Sequence, residues 1–173
     1  MRMKGLIGLL VVMAVAVVLA IFVERGSPAP AADPLAGTLV LPQIGPRLGD
    51  IGRLALVRGD AKITLQRQGD NWVVEEKSGY PAAATKVRQA LLGLAELRYV
   101  EPKTRRPDRY VRLEVEDAGK KGSKSTLVTV SDKKGSLLGE VIAGKRRIDQ
   151  LGGGTDGIYV RKPGDAQSWL ARG

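Results

Sequence analysis

An uninterrupted apolar run occupies the first part of this 173-residue chain. Arg2 and Lys4 precede it, and every residue of 5–23 is apolar or glycine. At about 1.5 Å of helix rise per residue, the run would be about 28 Å long, which is close to the hydrocarbon thickness of a bilayer. Because no polar face interrupts the run, a buried helix of a soluble domain is not expected. The sequence therefore predicts a single transmembrane helix over 5–23.

A cleaved secretory signal also begins with basic residues and an apolar core. Signal cores usually have roughly 7–15 residues, and this run is longer, which favours a retained span. Small residues of the kind that precede a cleavage site follow at 27–32, so a secreted form stays open as the alternative. Basic flanks stay on the cytoplasmic side, which predicts a cytoplasmic tail at 1–4 and a periplasmic body at the bacterial inner membrane.

Residues 24–46 are rich in alanine, proline and glycine, with prolines at 28, 30, 34, 42 and 46. Proline fixes φ and removes a backbone donor, so this composition predicts a semi-extended linker. The short apolar stretch 39–42 could dock on the domain, but a solvated linker is the preferred interpretation. The extracytoplasmic β-rich domain is then expected at 47–173.

The domain begins with short strand patterns separated by turn signals. Apolar and polar residues alternate at 53–56 and 62–66 on either side of a turn at 58–60, and a second turn at 68–71 leads into 72–75. Three sequential antiparallel strands are therefore expected, with Trp72 as an apolar anchor. Further strands are expected at five places: 110–116, 125–131, 137–142, 157–160 and 167–170.

Between these strands the apolar period changes to that of a helix. Pro81 can open a helix, and the apolar residues that follow at spacings of three and four are Val87, Ala90, Leu91, Leu94 and Leu97. This stripe is narrow, which favours a helix that covers one face of a sheet over a helix in a bundle. The predicted fold class is α+β, a mostly antiparallel β domain with one amphipathic helix packed on the sheet.

The chain contains no cysteine and no histidine. This composition excludes disulfides, a lipid-attachment cysteine, thiol nucleophiles and histidine-dependent catalysis or zinc binding. Residues 139–145 have the glycine and lysine spacing of a P-loop, but Arg146 stands where that motif needs Ser or Thr. No catalytic, cofactor-binding or metal-binding residue is predicted.

The chain is strongly basic, with 28 Lys and Arg residues against 18 Asp and Glu residues. Arg2 and Lys4 precede the span, so 26 basic residues remain beyond it and give a formal charge of +8. A periplasmic location argues against nucleic acid and leaves anionic lipid or an acidic protein as the partner. The candidate surface consists of a first cluster of Lys103, Arg105, Arg106 and Arg109, a second of Lys120, Lys121 and Lys124, and a third of Lys145, Arg146 and Arg147. An ordinary solvated surface is the competing interpretation.

Several short motifs occur in a fixed order along the domain: Trp72-Val73-Val74, Gly79-Tyr80-Pro81, Lys86-Val87-Arg88 with Leu91-Leu92-Gly93-Leu94, Glu101-Pro102-Lys103-Thr104, Leu113-Glu114-Val115 and Gly157-Ile158-Tyr159-Val160-Arg161. Their order over roughly 41–170 resembles the domain-of-unknown-function 4340 family. The resemblance implies a bacterial inner-membrane protein with one N-terminal span, often encoded beside ABC-type transporter components. It implies no catalytic or ligand residues. Many relatives continue further, so Gly173 is expected to mark a short member or a truncated reading frame.

These observations lead to one favoured function and two alternatives. The favoured one is a non-catalytic, membrane-anchored accessory or scaffold protein of an ABC-type transport or envelope complex, with protein partners and no cofactor. The first alternative is a binding module for an anionic lipid or envelope polymer. The second is an enzyme that uses a carboxylate or a lysine.

Overall fold

Nine strands form one antiparallel sheet in the part of the chain that the structure describes, residues 33–148 and 156–173. In this computed structural model the strands are β1 (Ile51–Arg58), β2 (Ala61–Gln68), β3 (Asn71–Val74), β4 (Tyr80–Ala82), β5 (Arg98–Pro102), β6 (Thr126–Asp132), β7 (Leu137–Arg147), β8 (Gly157–Arg161) and β9 (Ser168–Arg172). Their order across the sheet is β4-β3-β2-β1-β6-β7-β8-β9-β5, and every neighbouring pair is antiparallel. The predicted α+β class is confirmed, and so is the meander of three strands at its start.

The predicted amphipathic helix is present as α1 (Ala84–Glu96). It buries Val87, Leu91 and Ala95, whereas Ala90 is exposed. The prediction that Pro81 opens this helix is wrong, because Pro81 lies in β4 and pairs with Val73. Proline is tolerated there because β4 is an edge strand, where a missing N–H costs no ladder hydrogen bond.

Helix α1 connects the two opposite edges of the sheet, β4 and β5. Its thirteen residues span about 20 Å. Nine flat strands would place the outermost strands about 38 Å apart, since neighbours lie about 4.8 Å from each other. The sheet must therefore coil around the helix, and the main core fills the space between them.

A second, smaller core covers the outer face of the sheet, the face opposite α1. Tyr110 and Val115 pack there against Ile142. The predicted strand at 110–116 is wrong, because these residues form the short helix α2 (Tyr110–Leu113) and an irregular crossing segment. The alternating apolar residues of this segment pack on the outer face of the sheet instead of joining the sheet as another strand.

The domain begins earlier than predicted, because the compact unit of the structure is Pro34–Gly173. Val40 and Ile44 are fully buried, and the N–H of Val40 donates to the carbonyl of Leu97 over 2.8 Å. Leu39 pairs with Arg98 as an isolated bridge along the edge of β5 that faces away from β9. The linker predicted at 24–46 therefore overlaps the domain from residue 34 onward, since its apolar residues bury themselves against the β5 edge.

Several predictions fall on residues outside the described part of the chain. The cytoplasmic tail at 1–4, the transmembrane helix at 5–23 and the start of the linker all lie there. Within residues 33–148 and 156–173, no helix has both the length and the apolar character needed to cross a bilayer.

Two glycine substitutions test the packing of the crossing segment against β7. A Cβ at Gly144 would lie 2.2 Å from the carbonyl oxygen of Leu113, so Gly144→Ala must push the crossing segment away from β7. We expect it to lower the free energy of unfolding by about 2 kcal/mol. Gly93→Ala is the control, since a Cβ there meets no atom within 4 Å and replaces glycine inside α1. It should raise the free energy of unfolding by about 1 kcal/mol in urea titrations. Equal effects of the two substitutions would contradict the described packing.

Candidate anionic-partner surface

The second and third basic clusters meet at one end of the sheet. Thr126 at the start of β6 pairs with Ala143 in β7. Lys124 lies two residues before Thr126 and Lys145 two residues after Ala143, so both lie near the end of the sheet where β6 begins. We call this the basic end of the sheet, formed by Lys121, Lys124, Lys145 and Arg146 with the β1–β2 turn beside them. Gly59 of that turn is adjacent, because a Cβ there would lie 3.6 Å from the carbonyl oxygen of Ser123.

The first basic cluster begins beside the β8–β9 turn. The N–H of Lys103 donates to the carbonyl of Ser168, at the start of β9, over 2.8 Å. Arg105 Nε donates to Gln167 Oε1 over 2.7 Å. Glu101 Oε1 accepts hydrogen bonds from Lys103 and from Arg147 of the third cluster. The first and third clusters therefore meet at this carboxylate, which neutralises part of their charge.

Ion pairs and side-chain hydrogen bonds divide the ten candidate residues into three groups. Four are paired with carboxylates: Lys103 and Arg147 with Glu101, Arg106 with Asp108, and Lys120 with Asp117. Arg105 has only its hydrogen bond to Gln167. Among residues 33–148 and 156–173, five have no side-chain hydrogen bond or ion pair: Arg109, Lys121, Lys124, Lys145 and Arg146. Four of these five candidate residues lie at the basic end.

The loop that carries the second cluster is held by a buried arginine. Arg161 is 4% exposed, and its Nε donates to the carbonyl of Val115 over 2.8 Å. Its guanidinium also pairs with Asp117 and lies 4.7 Å from the ring centre of Tyr110. The hydrogen bond from Arg161 holds the pKa of Asp117 below its ordinary value of 3.8. Sequence reasoning missed Arg161, because nothing in its local pattern distinguishes it from a surface arginine.

Two neighbouring hollows open at the basic end, beside the last turns of α1. One is a cleft of about 260 Å³ that is bordered by three arginines, Arg146, Arg147 and Arg172. The other is an apolar groove of about 260 Å³ between α1 and the sheet; its lining consists of Leu54, Leu56, Ala90, Gly93, Leu94, Leu97, Val128, Val141, Ala143, Ile158 and Val160. The cleft and the groove share three residues, Gly93, Leu97 and Ile158. The cleft and the groove therefore adjoin one another.

The strand register places Arg146 on the helix side of the sheet. Arg146 pairs with Ile158 of β8, which packs against the main core beneath α1. Paired residues of an antiparallel ladder share a face, so Arg146 lies on the same face as the groove. The negative end of the helix dipole is also nearby and favours a cation at this position.

Other hollows and motifs give no second candidate site. A larger cleft of about 440 Å³ is bordered by Trp72, Arg88 and Asp70, and Trp72 is 8% exposed, which confirms its predicted packing role. Residues 139–145 lie inside β7 rather than at a strand-to-helix turn, so they are no P-loop. Within the described ranges, no three acidic residues gather as a metal site.

No family model matches this chain, and neither a curated protein nor a solved structure is similar to it. The resemblance to the domain-of-unknown-function 4340 family therefore stays a prediction.

A carboxylate substitution tests the role of Arg161. Because the pKa of Asp117 is lowered in the folded state, its contribution to stability is full above pH 3.8 and is lost as the pH falls through the lowered pKa. Asp117→Asn should lower the thermal midpoint at pH 7, and its difference from the parent chain should shrink below about pH 4. Asp60→Asn, in the exposed β1–β2 turn, is the control and should change little. A difference that stays constant with pH would contradict this pairing.

Proposed function

We propose that this chain is a non-catalytic, membrane-anchored module whose basic end docks on an anionic lipid surface. The observation that carries the proposal is that Lys121, Lys124, Lys145 and Arg146 lie near the end of the sheet where β6 begins, and that none of these four side chains has a carboxylate partner within the described residues. The proposed setting is the periplasmic side of a bacterial inner membrane, with the apolar run at 5–23 as the anchor.

Electrostatics explain why such a surface suits a membrane. Like charges gathered at one end of a domain repel one another, so the fold gains no stability from them. Near an anionic bilayer each Lys or Arg contributes about 1 kcal/mol of attraction, so four contribute about 4 kcal/mol. The basic end can therefore orient a tethered domain even though the attraction is modest.

The short tether supports the same proposal. The domain begins at Pro34, so few residues separate it from the apolar run that ends at Val23. The chain between Val23 and Pro34 spans at most about 40 Å when fully extended. A tether this short gives the basic end a high effective concentration at the bilayer, which allows weak individual contacts to matter.

The family resemblance supports a second role, that of an accessory or scaffold subunit of an ABC-type transport or envelope complex. Purification in a mild detergent distinguishes the two. A permease that copurifies in a fixed ratio supports the scaffold, and a single protein that retains anionic lipid supports the lipid-docking module. An enzyme is not proposed, since each cleft described above has one carboxylate at most among its lining residues.

Vesicle flotation tests the lipid proposal. We expect residues 34–173 to float with phosphatidylglycerol vesicles and to stay behind with phosphatidylcholine vesicles. Lys124→Gln with Lys145→Gln should weaken this binding about thirtyfold, because two charges of about 1 kcal/mol each are removed. Raising the salt from 0.1 M to 1 M should abolish binding, since the Debye length falls from about 10 Å to about 3 Å.

The matched control lies at the opposite end of the same two strands. Lys133 and Lys134 are exposed in the β6–β7 turn, and Lys133→Gln with Lys134→Gln removes the same charge. This variant should bind within about twofold of the parent, since it lies outside the contact. Equal losses in the two variants would mean that net charge alone governs binding, and the proposed docking end would be wrong.

Protease treatment tests the proposed topology. In spheroplasts that express the full chain, added protease should digest the domain, because we place it outside the cytoplasm. Its exposed Lys and Arg residues supply many trypsin sites. A domain that survives until the membrane is permeabilised would overturn the orientation.

A further inference from the structure

We infer that the apolar groove beside α1 takes one acyl chain of an anionic lipid while the lipid head group rests at Arg146. This inference rests on the proposed function and names the ligand class of the same end of the sheet. It makes the domain a binder of single lipid molecules as well as of a lipid surface.

The chemistry of the groove selects hydrocarbon. Every residue that lines it is apolar, including Leu56, Leu94 and Ile158 near its opening. A bound peptide would bring N–H and carbonyl groups that need partners, and leaving them unpaired costs more than burial returns. A sugar fails for the same reason, because its hydroxyl groups would also lose their hydrogen bonds to water. An acyl chain has no such groups.

Small residues leave the groove open. Ala90 and Gly93 line the groove from the helix side and Ala143 lines it from the sheet side. A Cβ at Gly93 would meet no atom within 4 Å, so this space is not filled by neighbours. Well-packed interiors rarely leave such space unfilled. The sheet side carries buried valines, among them Val141 and Val160.

Charge at the opening then selects an anionic chain. The groove adjoins the cleft at Gly93, Leu97 and Ile158, and the charged residues that line the cleft are three arginines and Asp156. Arg146 lies on the groove side of the sheet and has no ion-pair partner among residues 33–148 and 156–173. An acyl chain in the groove would place its phosphate beside this guanidinium, where a charge-assisted hydrogen bond forms.

Photolabelling of the full chain tests the inference. The chain is held in nonionic detergent micelles that contain a small fraction of phosphatidylglycerol with a diazirine on one acyl chain, and adducts are mapped by mass spectrometry. We expect adducts on the α1 peptide at 90–97 and on β7 or β8. Ala90→Leu, which fills the groove away from the cleft, should reduce these adducts about tenfold, because about two methylenes of the chain lose their place. Gln89→Leu, on the exposed side of α1, is the matched control and should label like the parent.

The outcomes distinguish failure of the groove inference from failure of the proposed lipid docking. Absence of groove adducts, or equal labelling of Ala90→Leu and the parent, overturns the groove inference even when vesicle binding depends on Lys124 and Lys145. A phosphatidylcholine probe that labels the groove as well as the phosphatidylglycerol probe overturns the role of Arg146. Arg146→Gln should lower groove labelling by the anionic probe about tenfold and leave labelling by the neutral probe unchanged.

Discussion

The short connection between the two edge strands is the constraint on which the rest of this structure depends. Helix α1 must reach from β4 to β5, and it is about half as long as a flat sheet of nine strands is wide. Coiling of the sheet satisfies that limit and creates an inner face around the helix. The main core, the groove and the position of the basic end all follow from this geometry.

Coiling also explains how the sheet edges are protected from unwanted pairing. Edge strand β4 has three residues, one of them Pro81, which cannot donate to another strand. The opposite edge, β5, is covered by the segment around Leu39 and Val40, which the sequence analysis placed in a linker. With both edges protected, the strand ends and the groove beside α1 remain as surfaces available to a partner. Lys121, Lys124 and Lys145 lie at one strand end, and Lys133 and Lys134 lie at the other.

Local patterns predicted the parts of the fold that depend on neighbouring residues. Alternation and turn residues located the β1–β2–β3 meander, and the stripe at Val87 and Leu91 located α1. The strand predicted after Arg109 was wrong, because the alternation of apolar residues there reflects packing on the outer face and not a place in the sheet. The start of the domain was also misplaced, since the burial of Val40 depends on β5, nearly sixty residues further along the chain.

The candidate site also combines features that local sequence patterns predicted with features that only the fold brings together. Each basic cluster was visible in the sequence, but the strand order that brings Lys124 and Lys145 to one end of the sheet and Arg105 to the β8–β9 turn was not. The same holds for Arg161, whose partners Val115 and Asp117 are 46 and 44 residues away. The groove has no sequence signal, because small residues such as Ala90 and Ala143 are meaningful only when the fold sets them face to face.

The central claim is that the basic end of the sheet faces the bilayer, and the depth of two spin labels tests it most directly. The chain has no cysteine, so Lys121→Cys and Lys134→Cys give single labelling sites at the basic end and at the opposite β6–β7 turn. The labelled full chain is placed in phosphatidylglycerol vesicles that contain a nickel-chelating lipid. The account predicts strong relaxation of the label at 121 and weak relaxation of the label at 134. Equal relaxation of the two labels, or stronger relaxation at 134, would contradict it.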